Sequence, residues 1–140
     1  MKVGFTGTRA GMTEIQKKSL IYWLNENKNN IEEVAHGDCI GCDKEFHTIC
    51  EDFKFPIFIH PPTNPKNRAF CDSPNILPEF DYLVRNIHIV DCCDVLLATP
   101  RNMYEEIRSG TWHAIRYALG KKPVNVFYRD GSVIIGLSRV

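Results

Sequence analysis

Short, continuous apolar runs alternate with helix-period segments along this 140-residue chain, and that alternation restricts the fold more than any other feature. Val3-Gly4-Phe5, Glu33 to His36, Pro56 to His60, Val95 to Thr99 and Val124 to Tyr128 read as strands. Several of these are continuous apolar runs, as expected in a parallel sheet covered by helices on both faces. The expectation is an α/β fold of three layers in one domain over residues 1–140. It has about five parallel strands in the order 3-2-1-4-5. Arg129-Asp130-Gly131 makes a turn, and Val133-Ile134-Ile135 returns as an antiparallel edge strand.

The helices are marked by caps and periodicity. Thr13 and Gln16 stand at capping-box spacing, so a helix starts near Thr13 and runs to about Asn27. Leu20, Ile21, Trp23 and Leu24 are its apolar surface. Phe46, Ile49, Cys50 and Phe53 recur at i, i+3, i+4 and i+7, as on a buried helix face. Phe80, Leu83, Val84, Ile87 and Val90 give the next such face. A last helix spans Thr111 to Leu119, with Gly120 as its stop. Pro65, Pro74 and Pro78 make Thr63 to Pro78 an irregular excursion, long enough to form part of a pocket wall.

Lys plus Arg equals Asp plus Glu, 17 each. The balance gives no basic excess, so bulk nucleic-acid binding is not expected. No apolar run spans a bilayer, and no signal-peptide pattern precedes the first strand. The expectation is a cytoplasmic protein with no membrane partner. Cys39, Cys42, Cys50, Cys71, Cys92 and Cys93 then read as reduced thiols. Cys39-Ile40-Gly41-Cys42 has zinc or redox spacing. No second closely spaced pair follows, and His47 and Cys50 fall on the next helix. The expectation is no metal and no cofactor, with a tight loop at this pair.

Two Gly-Thr dipeptides carry the chemistry: Gly7-Thr8-Arg9 after the first strand, and Ser109-Gly110-Thr111-Trp112 near the last helix start. Helix N-termini attract anions, and glycine lets a ligand approach the backbone. Ligands of such sheets sit at the carboxyl ends of strands, where the strand order switches. The two loops are therefore expected to flank one crevice, each leading into a helix N-terminus, with Arg9 adding paired donors.

The motif order resembles the SLOG superfamily of Rossmann-like domains, which includes DprA and the Lonely Guy phosphoribohydrolases. A strand ends in Gly-Thr-Arg. The next ends in His-Gly-x-x-x-Gly-x-Asp. Arg85-Asn86 precedes a strand ending in Ala98-Thr99-Pro100, and Gly110-Thr111 opens the last major helix. The nearest likeness is to the small stand-alone YspA- or YpsA-related branch, and it covers Val3 to about Tyr128. It implies a nucleotide-type ligand held by Gly7, Thr8, Arg9, Gly37, Asp38, Gly41, Asp43, Arg85, Asn86, Gly110 and Thr111, and Thr99, Ser109 and Trp112 are expected at the same site. It also implies a homodimer or higher homo-oligomer, with Trp23 or Tyr117 at an interface. The Lonely Guy glutamate is replaced here by Ala114, which sets cleavage in doubt; Glu105 and Glu106 stand upstream.

The residues keep two readings each. Arg85 either pairs with Asp81 or Glu79 or meets the ligand. Asp43 either caps its helix or accepts ribose hydroxyls, and Asp38 shares that ambiguity. Trp112 either joins the core or stacks on a base. His36 reads as a strand-end residue with a local hydrogen bond, and His113 as an exposed residue. The expected function is a sensor or sequestering module for a nucleotide-derived ligand. A nucleotide N-glycosidase using Glu106 or Asp43 and a ligand-free interaction module are the alternatives, and no catalytic residue is assigned.

Overall fold

The computed structural model describes residues 1–138. The strands are β1 (Lys2–Gly7), β2 (Glu33–His36), β3 (Ile57–Ile59), β4 (Asn75–Ile76), β5 (Val95–Thr99), β6 (Val124–Phe127) and β7 (Val133–Ile134). The helices are α1 (Glu14–Asn27), α2 (Cys42–Phe53), α3 (Tyr82–Cys92) and α4 (Gly110–Ala118). They build one seven-stranded sheet in the order β4-β3-β2-β1-β5-β6-β7. All neighbours are parallel except β6 and β7. The expected five-strand order is the centre of this sheet, and β7 is the antiparallel edge strand. The addition is β4, two residues within the proline-rich excursion.

Side-chain alternation divides the core into two layers. Val95 and Leu97 of β5 pack with Leu20, Leu24, Phe46 and Cys50 of α1 and α2. Leu96 and Ala98 face the other way, against Ile89, Val90 and Ile115 of α3 and α4. This is the strand pleat read directly as a three-layer architecture. Phe5 and Phe46 stack with ring centroids 4.1 Å apart, fixing α2 against β1. The Thr13–Gln16 capping box is formed in both directions at the start of α1.

One helix face differs from the expectation. Leu83 and Val84 of α3 are exposed, and Phe80 precedes the helix and is exposed too. The buried face is Arg85, Asn86, Ile89 and Val90. Periodicity counting assumes that polar side chains turn outward. Here Arg85 and Asn86 turn inward because backbone carbonyls from other loops satisfy them.

Candidate functional site

The loops after β1, β2, β3 and β5 open on one cleft of about 630 Å³ at the carboxyl end of the sheet. Its position follows from topology. β1 lies between β2 and β5, so the chain winds in opposite directions on either side of β1, and a crevice opens there. Gly7, Thr8 and Arg9 line one wall, and Ser109, Gly110 and Thr111 line it from the β5 side. The two Gly-Thr segments thus share one cleft.

Their chemistry differs. Ser109 caps α4, its hydroxyl accepting the Trp112 N–H at 3.2 Å. The N–H groups of Gly110 and Thr111 open the helix, where no intrahelical partner exists. A Cβ on Gly110 would meet only the Tyr82 ring, 3.7 Å away, so packing does not demand glycine there. The first loop presents no helix end, contrary to expectation, because α1 begins only at Glu14. The Thr8 N–H donates to the Thr99 carbonyl at 3.1 Å, and the Thr8 carbonyl accepts the Cys42 N–H at 3.1 Å. This loop instead supplies the Arg9 guanidinium, whose Nη1 donates to Asn67 Oδ1 at 2.7 Å. Gly7 is required by packing, since a side chain would run into Thr99 and Cys42.

The floor is built by α3. Arg85, buried, donates to the Gly37 carbonyl and, at 3.3 Å, to the His60 carbonyl. Its Nη2 lies 3.4 Å from Cys39 Sγ. It pairs with neither Asp81 nor Glu79. Asn86 donates to the Gly110 carbonyl at 3.3 Å and so ties α3 to the α4 start. Asp43 lies beside this floor. Its Oδ2 accepts the Cys39 N–H at 3.0 Å, while Oδ1 is buried with no hydrogen-bond partner among the described residues. Burial pushes the Asp43 carboxyl up to about 6, against the opposing pull of the Arg85 guanidinium.

Four of the expected residues do not line the cleft. Asp38 is fully buried and anchors the excursion: Oδ2 accepts from Arg68 Nε and Oδ1 from the Cys71 N–H, both at 2.9 Å. Gly41 caps α2 at φ 86°, where a side chain would strike the Arg9 backbone. Thr99 is buried against Gly7. Trp112 is buried in the α3–α4 core layer. Ala114, at the Lonely Guy glutamate position, is in the same layer. Glu106 lines the cleft but is ion-paired with Arg101 at 2.7 Å, and Glu105 pairs with Arg116 at 2.9 Å. His113 is half-buried rather than exposed.

Sequence reasoning missed Tyr82, Asn64, Asn67, Arg101 and Arg108, all lining residues. The excursion was marked by its prolines, but nothing local identified which of its side chains face inward.

A metal at the Cys39–Cys42 pair has little support from its chemistry. Cys42 is wholly buried in the core, which pushes its thiol up to about 12. The trio of His36, His47 and Cys71 brings ligand atoms within 4.8 Å of one another. Both nitrogens of His36 are already engaged, however. Nδ1 accepts the Asp38 N–H at 2.9 Å, which leaves the ring proton on Nε2, facing His47 Nδ1 at 2.9 Å. Ligation through Nε2 would require an imidazolate or loss of the Asp38 bond.

In fold the chain is similar to two solved structures. One shows the single-stranded DNA binding mode of DNA processing protein A from Helicobacter pylori. Its TM-score is 0.61 at 20% identity, covering 90% of this chain and 64% of that one. The other is DNA processing protein A (DprA) from Streptococcus pneumoniae, with a TM-score of 0.64 at 16% identity, covering 89% of this chain and 49% of that one. This chain therefore spans less than two thirds of either. No family model matches it, and no curated protein does. The Rossmann-like architecture is shared with these proteins.

One expectation is corrected. The zero net charge speaks against bulk nucleic-acid binding. The same fold serves a protein whose structure shows single-stranded DNA binding. Net charge averages the whole surface, whereas a phosphate meets local groups, here Arg9 and Arg108 on the cleft, with Arg101 paired to Glu106 beside them. No helix among the described residues is long and apolar enough to cross a membrane.

Proposed function

We propose that the protein binds a nucleotide-type ligand by its phosphate, as a sensor or sequestering module, in the cleft between the β1 and β5 loops. The observation that carries this is the convergence on one cleft of the α4 N-terminus with the Arg9 and Arg108 side chains, beside the Arg101–Glu106 ion pair. Unpaired N–H groups and the helix dipole favour an anion there, and arginine adds paired donors. Cleavage is not part of this reading. The Lonely Guy glutamate position is a core alanine, and Glu106 is occupied by Arg101.

A second reading follows from the fold likeness to a single-stranded-DNA-binding protein: the phosphate belongs to a nucleic-acid strand. One experiment tests both. Calorimetry measures binding of mononucleotides and of single-stranded oligonucleotides across a salt series. Tight mononucleotide binding that an oligonucleotide does not improve supports the first reading. Oligonucleotide affinity far above mononucleotide affinity, falling steeply with salt, supports the second. Binding of neither would overturn the proposal.

A further inference from the structure

Residues 76–84 are exposed without interruption, although Ile76, Leu77, Phe80, Tyr82, Leu83 and Val84 are apolar or aromatic. Single apolar side chains on a surface are ordinary, but a contiguous set marks a contact. These are contiguous. The Leu77 and Phe80 N–H groups donate to the Ile59 and Pro61 carbonyls at 2.9 and 3.2 Å, so residues 76–80 form the outer edge of the sheet beyond β3. The Phe80 ring meets the His88 ring edge-on at 4.7 Å, which lays it along the α3 flank that carries Val84, one turn before His88. Phe80, Leu83, Val84 and Ile87 keep the i, i+3, i+4, i+7 spacing of a helix face made to be covered. The fold covers only its far end: Val90 is buried, whereas Leu83 and Val84 are 38% and 41% exposed.

Charge identifies the occupant. Between Ala69 and Pro100 the chain carries Asp72, Glu79, Asp81, Asp91 and Asp94 against a single Lys or Arg, the buried Arg85. Glu79 and Asp81, on either side of Phe80, are exposed and form no ion pair among the described residues. An apolar face fringed by free carboxylates repels a nucleic-acid strand or an anionic membrane. A second copy docked by two-fold symmetry sets one acidic fringe beside another. A helix with Lys or Arg beside an apolar stripe matches both parts of the surface. We infer that the flank formed by β4, Phe80 and the first turn of α3 is a docking site for a basic amphipathic helix of another protein. It adjoins the cleft, which Asp81 and Tyr82 also line, but Leu83 and Val84 stand outside that cleft.

The test uses the full chain and two labelled synthetic peptides of about twenty residues, long enough to be helical. Both repeat one leucine stripe; one carries lysine beside it and the other glutamate. Fluorescence anisotropy is expected to show the lysine peptide bound about tenfold or more tightly than the glutamate peptide. Joint Leu83→Gln and Val84→Gln should weaken the lysine peptide about tenfold or more, because a few apolar anchors dominate such contacts. Both positions are exposed, so the fold should persist, and circular dichroism checks it. Glu79→Lys should weaken the same peptide, whereas Tyr22→Gln, at an exposed aromatic of α1, should not. Equal binding of the two peptides, binding of neither, or undiminished binding by the folded double variant overturns the inference. Equal weakening by Tyr22→Gln overturns it too, since binding is then general adhesion. Sedimentation showing a dimer that the double variant dissolves assigns the face to a second copy and overturns it as well.

Discussion

Arg85 and Gly37 share one volume: the guanidinium that holds the Gly37 carbonyl fills the space a side chain at Gly37 would need. The glycine after β2 is thus explained by a neighbour forty-eight residues away, not by a ligand pressed against the backbone. The same guanidinium reaches the His60 carbonyl, so one side chain holds the loops after β2 and β3 in register at the cleft floor.

Gly37→Ala is expected to destabilise the fold by about 1–3 kcal/mol, the usual cost of overfilling a packed site. Arg85→Ala removes the obstruction and also leaves buried carbonyls unpaired. The double variant should therefore cost clearly less than the two single costs together. Denaturant unfolding of all four proteins measures the coupling. Strict additivity would show that the two residues do not compete for space.

Asp38 yields a prediction about the excursion over 63–78. Its carboxylate accepts from Arg68 and from the Cys71 N–H, and its carbonyl accepts the Ala69 N–H at 2.7 Å. Its φ is 57°, a left-handed conformation that asparagine tolerates. Asp38→Asn therefore changes the charge without changing the backbone demand. Loss of one charge-assisted bond is expected to cost about 1.5–3 kcal/mol. Amide exchange within 63–78 should accelerate more than exchange in β1 and β5. Uniform acceleration would mean that Asp38 stabilises the fold globally instead of pinning this segment.

What was legible in the sequence was local. The Thr13–Gln16 box lies within one turn, and the apolar runs of β1, β5 and β6 announce their burial on both faces. What was not legible depends on partners far away in sequence. Arg85 and Asn86 look like surface residues of α3 until carbonyls of Gly37, His60 and Gly110 arrive to satisfy them. Asp38 and Asp43 stand five residues apart and look interchangeable in the sequence. Only the fold gives Asp38 two partners and leaves one oxygen of Asp43 bare. The brief β4 strand leaves no mark in the sequence because two residues between prolines have no period to read.

Stability should fall as pH drops below about 6.5. Burial holds His36 down to about 3 and His60 down to about 4, from an ordinary value of 6.5. Below 6.5 the unfolded chain protonates these rings while the folded protein does not, so acid favours unfolding. Asp43 works in the opposite sense. Raised by burial from 3.8 to about 6, it holds a proton in the folded state that the unfolded chain releases, and so gains stability as pH falls from 6. Two histidines with the larger shifts outweigh one carboxyl. Urea midpoints measured from pH 7 to 4 should decline, and a flat or rising series would contradict the burial of these rings.

Gly110 separates fold from ligand, because its two roles make different demands. As the first residue of α4 it needs no special backbone conformation, and a Cβ there would only touch Tyr82 at 3.7 Å. Gly7 offers no such separation, since a side chain there strikes Thr99 and Cys42. Gly110→Val should therefore leave unfolding free energy within about 1 kcal/mol of wild type, with the helix propensity of valine slightly better than that of glycine. The added methyl groups stand on the N–H groups proposed to hold the phosphate, so affinity for a mononucleotide should fall about tenfold or more. Arg9→Ala, at an exposed position, should weaken the same binding by about 1.5–3 kcal/mol if its guanidinium meets the phosphate, again with little effect on stability. Calorimetry and thermal unfolding on the same samples read both quantities. Unchanged affinity in both folded variants would place the phosphate elsewhere on the protein, while a collapse of stability in Gly110→Val would show that this glycine serves the fold.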